Sequence, residues 1–596
     1  MKNNKKPMRC TRDFLDKLKE NGELWVFEEQ IDPNLELARV QRLVCSKKGP
    51  AILFTNVKGT KFPVATNLYG SERRLDLAFG DKPKQFINQF ADLVLNIFPP
   101  NLGKLLRAKS LVWQGIQLGV KHKRNGPVLK NKIDPPNLQL LPQIKSWQED
   151  GGAFITLPLV YTESPVTKKS NLGMYRIQLF SERQAGMHIQ INRGGGNHYH
   201  EAEIRNRSLP ACIFVGGPPA LTIAAIAPLP EDIPEVLFAS LLMGEKLSVK
   251  KTEELGRKIV LDSDFAIVGN IPPGERKPEG PFGDHYGYYS LQHDYPFLNV
   301  EKIYHRDGAV FPATVVGRPP QEDHYITEYL QDILEPLYPL VLKNVEKVWA
   351  YEESGVHSLA GAIVKNRYYK EAFTAALKIL GEGQLSLTKF LIIHDGDCDI
   401  KDFKTLLVKA LECADFKNDL YILSNISQDT LDYTGPQVNK GSKAILMGIG
   451  DKKRNLKEKI TENFKHSAFS RAQLFCPGAL CVKGDPYHLK PDLANELVHE
   501  PAIDGFSMVF LVDDPQEVCR STSDFIWHVF TRFEPAADIY GKTVVQRMHI
   551  GFDGPIVVDC RMKPWYPSEL VENEQINNAV ERKWGGAIDK NCRNRQ

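Results

Sequence analysis

Long apolar segments are scarce in this chain of 596 residues, which limits the ways in which it can contact a membrane. Only the uncharged stretch 208–230 approaches the length of a bilayer span. The sequence Gly-Gly-Pro-Pro interrupts it at 216–219, and proline both removes a backbone donor and breaks a helix. We therefore predict a buried strand, a turn and a short buried helix here, rather than a transmembrane helix.

Strong charge of one sign and paired cysteines are also missing. Lysine and arginine exceed aspartate and glutamate by 76 − 73 = 3, so no overall field favours nucleic acid as a partner. The ten cysteines are scattered and none forms Cys-x-x-Cys, which is typical of reduced thiols rather than a disulfide framework or zinc site. No apolar segment follows the basic residues at 2–6, so we expect a cytoplasmic protein without a secretory signal.

The remaining composition is that of an ordinary globular protein, with 42% hydrophobic and 25% charged residues. The length is several times that of a typical domain, so more than one core is expected. The sequence pattern divides the chain into a small N-terminal α/β unit (1–120), a central β-rich segment (121–325), an α/β segment (326–450) and a C-terminal extension (451–596). The predicted fold class is therefore α+β with several domains.

Local patterns predict elements in the first two segments. In the N-terminal unit, helical periodicity marks 14–24, 35–43 and 84–98, and 51–56 has the pattern of a strand. In the central segment, turns with glycine or proline separate short β-rich runs, as in a barrel or a sandwich. These runs cover 154–161, 174–180, 188–191, 258–266 and 310–316, and a helical stretch at 235–243 interrupts them.

The second half of the chain contains two similar patterns after a long helical stretch at 322–348 that is broken at Pro336 and Pro339. A strand at 390–394 leads through a turn with three acids into a helix at 403–413. Acids at such a turn cap the helix more often than they bind a metal ion. In the extension, a strand at 506–514 and a helix at 521–530 repeat this arrangement, which indicates a divergent duplication of the α/β unit.

The stretch Pro-Glu-Gly-Pro-Phe-Gly-Asp-His-Tyr-Gly-Tyr-Tyr at 278–289 places two carboxylates, Glu279 and Asp284, in a turn surrounded by aromatic rings. Proline and glycine restrict and shape this turn. Carboxyl groups held among aromatic rings are partly desolvated, which predicts raised pKa values suited to proton transfer. The alternative is a tight loop whose acids cap a helix or face water.

Three other stretches carry polar groups in suggestive patterns. Asn171 and Arg176 lie five residues apart where a strand is predicted to begin, and a turn amide with a surface arginine is the alternative. Glu235 is the first residue of a predicted helix. The helix dipole stabilises an acid at this position, so Glu235 does not need a function to be there. The glycine-rich run 193–200 is predicted as a loop whose N–H groups and Arg193 bind a phosphate. A plain turn is the alternative. His198 and His200 are either metal ligands or exposed loop histidines.

Together these stretches resemble the UbiD decarboxylases, a family that uses prenylated FMN. The likeness covers about residues 10 to 450 in the family's order. The matching motifs are Asn-x-Gly-Met-Tyr-Arg at 171–176, Arg-Gly-Gly at 193–195, Pro-x-Pro-x-x-x-x-Glu at 228–235, Glu-Gly-Pro-Phe-Gly-Asp-His at 279–285, Gly-Arg-Pro-Pro at 317–320 and Gly-Ser-Lys at 441–443. The resemblance implies that the central segment is a split β-barrel of flavin-reductase type that binds the cofactor, and that 326–450 supports oligomerisation.

The resemblance also implies roles for individual residues. Arg176, Glu279 and Asp284 match the family's catalytic network, in which Asp284, with a raised pKa, returns a proton to the substrate carbon. Asn171 and Glu235 match ligands of a divalent cation that ties the cofactor phosphate to the protein, and hard oxygen donors suit Mn²⁺ or Mg²⁺, with K⁺ as a further candidate. The positions that match cofactor contacts are Met174, Tyr175, Arg176, His188, Ile189, Gln190, Arg193, Gly194 and Lys443.

One position departs from the family. Relatives often carry a histidine as a third metal ligand just before Arg-Gly-Gly, and this chain has Asn192 there. An amide oxygen still binds a hard cation, so we expect weaker metal binding rather than none. The extension beyond 450 is longer than in the best-known members, which puts substrate assignment by analogy in doubt.

We therefore expect a non-oxidative decarboxylase of an aromatic acid in quinone biosynthesis. A 4-hydroxy-3-polyprenylbenzoate for ubiquinone is favoured over 1,4-dihydroxy-6-naphthoate for menaquinone. The expected partners are a flavin prenyltransferase that supplies the cofactor and further copies of the chain, with at most peripheral membrane contact. An FMN-dependent flavin reductase and a non-catalytic binding protein within a larger assembly are the rival interpretations, and the chain lacks the Gly-x-Gly-x-x-Gly loop that would support the former.

Overall fold

The computed structural model describes residues 8–96, 102–190, 194–229, 233–252, 257–460 and 468–593. The chain divides into two compact units, the first made of Met1–Ile333 with Glu569–Gln596 and the second of Leu334–Ser568. Within the described ranges, no helix is both long and apolar enough to cross a membrane. The stretch at 208–230 instead contains a strand, Leu209–Val215, and a short helix, Pro219–Ile226, as predicted.

The described residues form both helices and strands, with most of the strands of the first unit between residues 120 and 312. The helices, in chain order, are α1 (Thr11–Glu20), α2 (Glu36–Ser46), α3 (Glu72–Phe79), α4 (Lys82–Asn96), α5 (Leu102–Ile116), α6 (Gly194–Ile204), α7 (Pro219–Ile226), α8 (Glu235–Met243), α9 (Glu322–Leu334), α10 (Tyr338–Val341), α11 (Glu371–Ile379), α12 (Phe403–Cys413), α13 (Leu493–Leu497), α14 (Pro515–Val518), α15 (Thr522–Phe530), α16 (Pro535–Asp538) and α17 (Glu574–Cys592). The strands are β1 (Leu24–Phe27), β2 (Ala51–Phe54), β3 (Val64–Thr66), β4 (Val120–His122), β5 (Asn131–Ile133), β6 (Phe154–Ile155), β7 (Pro158–Glu163), β8 (Ser170–Gly173), β9 (Ile177–Leu179), β10 (Gln184–Met187), β11 (Leu209–Val215), β12 (Leu247–Thr252), β13 (Arg257–Val260), β14 (Phe265–Ile271), β15 (Lys277–Glu279), β16 (Phe282–Gly283), β17 (Tyr289–Ser290), β18 (His293–Tyr295), β19 (Phe297–His305), β20 (Phe311–Pro312), β21 (Val345–Ala350), β22 (Leu359–Val364), β23 (Phe390–His394), β24 (Leu420–Ser427), β25 (Lys440–Gly448), β26 (Ala472–Cys476), β27 (Ala479–Lys483), β28 (Met508–Val512), β29 (Ile539–Gln546) and β30 (His549–Asp559).

A nine-stranded sheet forms the centre of the first unit. Its order is β6-β9-β10-β19-β14-β11-β7-β8, and β5 joins at β19. All the pairings are antiparallel. The prediction of a mixed, multidomain α/β protein with a β-rich centre is thus confirmed, while the flavin-reductase type of barrel stays a prediction.

A smaller sheet, β1-β2-β3-β20, shares the core of the first unit with the central sheet. Its strands contribute Phe27 and Phe311, and the central sheet contributes Phe265. The C-terminal helix α17 adds Trp584, whose ring meets Phe27 edge-on at 4.7 Å between centroids. The last residues of the chain therefore belong to the core of the unit that begins it.

The second unit contains two five-stranded sheets with the same topology. One has the order β21-β22-β23-β25-β24 and the other β26-β27-β28-β30-β29. In each, the two edge pairings are antiparallel and the two central pairings are parallel. This identity of order and direction supports the proposed duplication, and the four-segment division of the chain stays a proposal.

Burial in these two sheets follows strand alternation. On β23, Phe390 and Ile392 join a core that includes Phe510 of β28, whereas Leu391 and Ile393 face a separate cluster. One core is thus shared by the two sheets. The alternation is that expected of strands that are buried on both faces.

Several predicted elements differ from the structure; the run 258–266 is divided between β13 and β14, and the run 310–316 contains only the short strand β20. The helical stretch at 322–348 ends at Val341, because Asn344 adopts a positive φ of 72° and β21 then begins at Val345. The helix at 14–24 ends at Glu20, because Gly22 turns the chain with φ of 70° into β1. The strand predicted at 188–191 is absent from residues 188–190, which the structure describes, because β10 ends at Met187.

Candidate active site

Three side chains that lie far apart in the sequence meet in the first unit. Arg176 immediately precedes β9, Glu279 ends β15, and Asp284 follows β16. The guanidinium group of Arg176 donates from Nε to Glu279 Oε1 at 2.8 Å and from Nη2 to Oε2 at 2.9 Å. Its Nη1 also donates to Asp284 Oδ2. One cation therefore joins both carboxylates, as the motif comparison predicts.

This ion cluster is nearly closed to water. Glu279 is fully buried, and Asp284 and Arg176 expose only 8% and 9% of their surface. Arg176 Nη2 donates to Ser290 Oγ at 2.9 Å, and its guanidinium carbon lies 4.9 Å from the centroid of the Phe282 ring. Burial of this kind strengthens the attraction between the charges but also makes each charge costly when it has no partner.

The predicted rise in the carboxyl pKa values was wrong. Burial acts to raise the pKa of Glu279, but the charge and hydrogen bonds of Arg176 and the bond to His188 outweigh it and hold that pKa at about 2. Burial likewise acts to raise the pKa of Asp284, but its hydrogen bonds with His285 and the positive charges of His285 and Arg176 bring it below its usual range. Without substrate, both carboxyl groups are therefore ionised at neutral pH.

His188 and its neighbours form the next layer. His188 Nδ1 lies 3.1 Å from Glu279 Oε2, and its Nε2 lies 3.3 Å from Nε2 of Gln190. The ring also packs on Tyr295 at 4.3 Å between centroids. Burial and the nearby Arg176 lower the pKa of His188, so the imidazole is neutral and orients Glu279. Of the predicted cofactor contacts in this stretch, Ile189 is buried in the core.

The hairpin that carries Asp284 is rigid for reasons visible in the sequence. Gly280 adopts φ of 93°, a region that favours glycine. At Gly283, an added Cβ would lie 2.2 Å from Cδ1 of Trp147, so only glycine fits against this ring. Gly283 also donates its N–H to Asp150 Oδ1 at 2.8 Å. Close packing therefore fixes the backbone immediately before Asp284.

The glycine-rich stretch is a helix rather than the predicted loop. Gly194 is the first residue of α6, and Gly195 donates its N–H to the hydroxyl oxygen of Tyr175 at 3.2 Å. A Cβ at Gly194 would lie 2.2 Å from Asn171 Oδ1, and one at Gly195 would lie 3.0 Å from the Tyr175 ring. Close contact explains the glycines, and it brings a helix N-terminus beside Asn171. Met174, next to Tyr175, is half-buried.

Asn171 lies next to a residue that contacts Glu235, and the role of both as metal ligands stays a prediction. Leu172, which follows Asn171 in β8, donates its N–H to Glu235 Oε2 at 3.1 Å. Asn171 donates from Nδ2 to Tyr175 at 3.3 Å, which leaves its amide oxygen beside Gly194. Partial burial raises the pKa of Glu235, although its carboxylate accepts the N–H of Leu172.

Two predicted site residues, Asn192 and Arg193, lie outside the described residues. His198 is buried and bonds through Nδ1 to Thr162 Oγ1 at 2.9 Å, so it has a structural partner, while His200 is exposed. Among the residues that the structure describes, no group of three or more histidine, cysteine or acidic side chains has the arrangement of a metal site. Asn171 and Glu235 alone would make a two-ligand oxygen site.

Lys443 belongs to the second unit, where it has a partner of its own. It is buried on β25 and donates from Nζ to the carbonyl oxygen of Thr388 at 3.0 Å. Burial lowers its pKa to about 8, although Asp432 and Asp429 favour its charge. The predicted phosphate contact of Lys443 stays a prediction.

Two further residues belong to this site and were not predicted from the sequence. His285 bonds through Nδ1 to Asp284 Oδ1 at 2.7 Å and exposes 28% of its side chain, so it connects the buried carboxylate with solvent. Ser290 accepts from Arg176 and also from the N–H of Phe282 at 3.2 Å. The position of His285 directly after Asp284 was a usable signal, whereas no local pattern marks Ser290.

Comparisons with known proteins identify the family of this chain. The models of the three domains of 3-octaprenyl-4-hydroxybenzoate carboxy-lyase match in order: the N-terminal domain at 15–94, the Rift-related domain at 120–319 and the C-terminal domain at 324–448. A Chlamydia pneumoniae protein, named as one component of a 4-hydroxybenzoate decarboxylase, is 44% identical over 555 residues, 93% of this chain and 94% of the relative. The chain belongs to the UbiD family.

Solved structures of UbiD-class enzymes have a similar fold. The closed form of vanillic acid decarboxylase from Sedimentibacter hydroxybenzoicus gives a TM-score of 0.64 at 23% identity and covers 76% of this chain and 95% of its own. The UbiD-class enzyme HmfF from Pelotomaculum thermopropionicum, in complex with FMN, gives 0.60 at 21% identity and covers 74% of this chain and 94% of its own. The predicted resemblance to the UbiD carboxy-lyase family is confirmed.

The C-terminal extension distinguishes this UbiD protein from the family models. The models end at residue 448. The chlamydial relative, however, aligns over 555 of the 596 residues, which leaves 596 − 555 = 41 of them unaligned. Most of the extension is therefore shared with that relative.

Proposed function

We propose that this protein removes carbon dioxide from a hydroxylated aromatic acid, with prenylated FMN and a divalent cation, Mn²⁺ or Mg²⁺, as cofactors. The observation that carries the proposal is the buried bridge from Arg176 to Glu279 and Asp284. A structural role alone does not require two carboxylates on one buried guanidinium, because burial of charges contributes little net stability.

The residues around Asn171 fit the cofactor's phosphate and its cation. Asn171 Oδ1 and Glu235 offer hard oxygen donors, and the N-terminus of α6 favours a phosphate. A bound cation would also offset the desolvation that raises the pKa of Glu235. K⁺ remains a further candidate ion. When bound, prenylated FMN supplies the electron sink for the carbon that loses carbon dioxide.

Arg176 and Asp284 then perform the remaining chemistry. Arg176 orients the substrate carboxylate and excludes water from it. An anionic carboxylate beside Arg176 competes for the positive charge that lowers the pKa of Asp284, so substrate binding raises that pKa. His285 passes a proton from solvent to Oδ1 of Asp284, and Asp284 delivers it to the substrate carbon after carbon dioxide leaves.

The substrate favoured is a hydroxybenzoate, and a polyprenylated one in ubiquinone biosynthesis is the first candidate. The name of the 44% identical relative and the description of the family models support it. The dihydroxynaphthoate of menaquinone biosynthesis is the second candidate, because the extension sets this chain apart from the family models. The proposal also includes a flavin prenyltransferase that supplies the cofactor, self-association, and a cytoplasmic location with at most peripheral membrane contact.

The test is exchange of ¹³CO₂ into a panel of hydroxybenzoates and 1,4-dihydroxy-6-naphthoate. Protein co-expressed with a flavin prenyltransferase should incorporate label into one class of acid, and Asp284→Asn should abolish it. The cofactor released on denaturation should have the mass of prenylated FMN. Oxidation of NAD(P)H with unmodified FMN would instead support a flavin reductase, and the absence of both activities would support a non-catalytic binding role.

A further inference from the structure

The C-terminal segment 569–573, called the strap below, lies on the hairpin that carries Asp284. Leu570 donates its N–H to the carbonyl oxygen of Gly287 at 2.9 Å. Its neighbour Glu569 forms an antiparallel β-bridge with Tyr288. These backbone contacts join the last part of the chain to a turn almost 300 residues earlier in the sequence.

The turn that the strap holds is the one that fixes Asp284. Asp284 donates its N–H to the carbonyl oxygen of Tyr288 at 3.0 Å, and Gly287 donates its own to the carbonyl oxygen of Asp284 at 3.0 Å. Both partners of Asp284 in this turn are therefore residues that the strap contacts directly.

The side chain of Leu570 adds a second contact on the other side of Asp284. An added Cβ at Gly283 would lie 2.9 Å from Leu570 Cδ2, and one at Gly317 would lie 3.7 Å from Leu570 Cδ1. The Trp147 ring packs on the same two glycines and donates from Nε1 to the carbonyl oxygen of Val316 at 2.9 Å. Leu570 and Trp147 together cover the start of the hairpin.

Ion pairs hold the strap in place. Glu572 accepts from Arg39 Nη1 at 2.8 Å, and from Nε and Nη2 of Arg42 at 2.7 and 2.9 Å. Arg42 exposes only 7% of its side chain, and its guanidinium carbon lies 3.9 Å from the centroid of the Trp147 ring. The charge pair thus also supports the ring on which Gly283 rests.

The strap is anchored because α17 follows it directly. Val580, Trp584 and Ile588 of α17 are part of the core of the first unit. Trp584 Nε1 donates to Glu36 Oε1 at 2.9 Å. A segment between this helix and the hairpin has little freedom to move.

From these contacts we infer that Leu570 and Glu572 are positioning residues for Asp284. This inference rests on the proposed function, since it assigns the strap a role in the step that Asp284 performs. The strap holds the hairpin so that the Asp284 carboxylate stays on Arg176 and beside the reacting carbon. This contact lies in the extension, beyond the residues that the family models match.

The test combines hydrogen exchange with kinetics in Leu570→Ala. Loss of the Leu570 side chain should accelerate exchange of the amides between 284 and 289 about tenfold, while other segments of the first unit keep their rates. In the cofactor-loaded enzyme, kcat should fall about tenfold and KM should change less than about twofold, because alignment rather than binding is affected. Leu570→Met, which conserves the volume, should restore both values.

Two matched controls lie on the same stretch of chain. Val571→Ala alters a side chain that is 72% exposed and should leave both measurements unchanged. Glu572→Gln should behave like Leu570→Ala, whereas Glu574→Gln, at an exposed position, should behave like wild type.

The inference would be overturned if the hairpin amides of Leu570→Ala exchanged at the wild-type rate. Faster exchange with an unchanged kcat would also overturn it, as would equal acceleration throughout the first unit, which would indicate a purely structural role. An inactive wild-type enzyme would contradict the proposed function instead. In that case the exchange measurement would still show whether the strap holds the hairpin.

Discussion

Arg176 is the residue on which the site depends, because it is the shared partner of two buried carboxylates. Its planar group bonds Glu279 through two nitrogens and Asp284 through the third. A lysine ammonium has the same charge but cannot offer this fork of donors. The arrangement therefore predicts effects on both stability and activity when Arg176 changes.

We predict that Arg176→Ala destabilises the first unit by about 3–5 kcal/mol, because two carboxylates lose their buried partner. Arg176→Lys should retain part of this stability and still lose activity, since the bidentate geometry is absent. Urea unfolding and turnover should be measured on both variants. Arg183→Ala, at an exposed position, is the control, and equal stability of Arg176→Ala and this control would refute the account of the cluster.

Asp150 gives the site a pH dependence of its own. Burial raises its pKa to about 6, although it accepts N–H groups from Gly283, Trp147 and Ser146. The folded state therefore binds a proton more tightly than the unfolded state between about pH 4 and pH 6, so this group makes the protein less stable as pH rises through that window.

The Asp150 contribution should amount to roughly 3 kcal/mol at neutral pH. Wild type should lose about that much free energy of unfolding relative to Asp150→Asn as the pH rises from 4 to 7. Urea titrations at several pH values measure the difference. Parallel pH profiles for the two proteins would show that Asp150 has an ordinary pKa.

Most single elements were predictable from the sequence, and the exceptions have physical causes. The helices at 235–243 and 403–413 and the strand at 390–394 coincide at both ends with α8, α12 and β23. The glycine-rich run was wrongly predicted as a loop, because glycine has a low helix propensity. Contacts of α6 with Tyr175 and Asn171 outweigh that propensity.

The start of α6 also predicts the effect of a single methyl group. Gly194→Ala would place Cβ 2.2 Å from Asn171 Oδ1 and must displace this proposed ligand. We expect the affinity for Mn²⁺, measured calorimetrically with FMN present, to fall about tenfold or more. Gly585→Ala in α17 has open space around its Cβ, so it should leave Mn²⁺ binding unchanged and stabilise the helix by about 0.5–1 kcal/mol. Equal Mn²⁺ affinity in both variants would remove Asn171 from the proposed site.

The charges of the active site were harder to predict than its residues. Motif order brought Arg176, Glu279 and Asp284 together correctly as a group. The direction of the pKa shifts was wrong, because the sequence shows neighbours along the chain but not the cation between two carboxylates. Ser290 was missed for the same reason, whereas His285 directly follows Asp284 in the sequence.

At the scale of the whole molecule, the extension does more than repeat an α/β unit. Its last residues return to the first unit, where α17 packs against α2 and β1. Arg42 and Glu572 are separated by 530 residues, a contact that no local pattern in one sequence can indicate. The extension was therefore predicted as a separate segment, although its end completes the first core.

This arrangement predicts that Trp584→Ala weakens the first unit. Trp584 exposes 8% of its surface, meets Phe27 and donates to Glu36. Its loss should cost about 3–5 kcal/mol of unfolding free energy. Trp565→Ala, in which a 54% exposed ring is removed, should cost less than about 1 kcal/mol. Similar urea midpoints for the two variants would contradict the assignment of α17 to the core.

The most direct measurement is deuterium incorporation during decarboxylation in D₂O by the cofactor-loaded enzyme. The account predicts one deuterium at the carbon that carried the carboxylate, and a rate at least about 100-fold lower in Asp284→Asn. Asp294→Asn, at an exposed position, should keep the wild-type rate. Equal rates of deuterium incorporation in Asp284→Asn and wild type would contradict the central role of the Arg176–Glu279–Asp284 cluster.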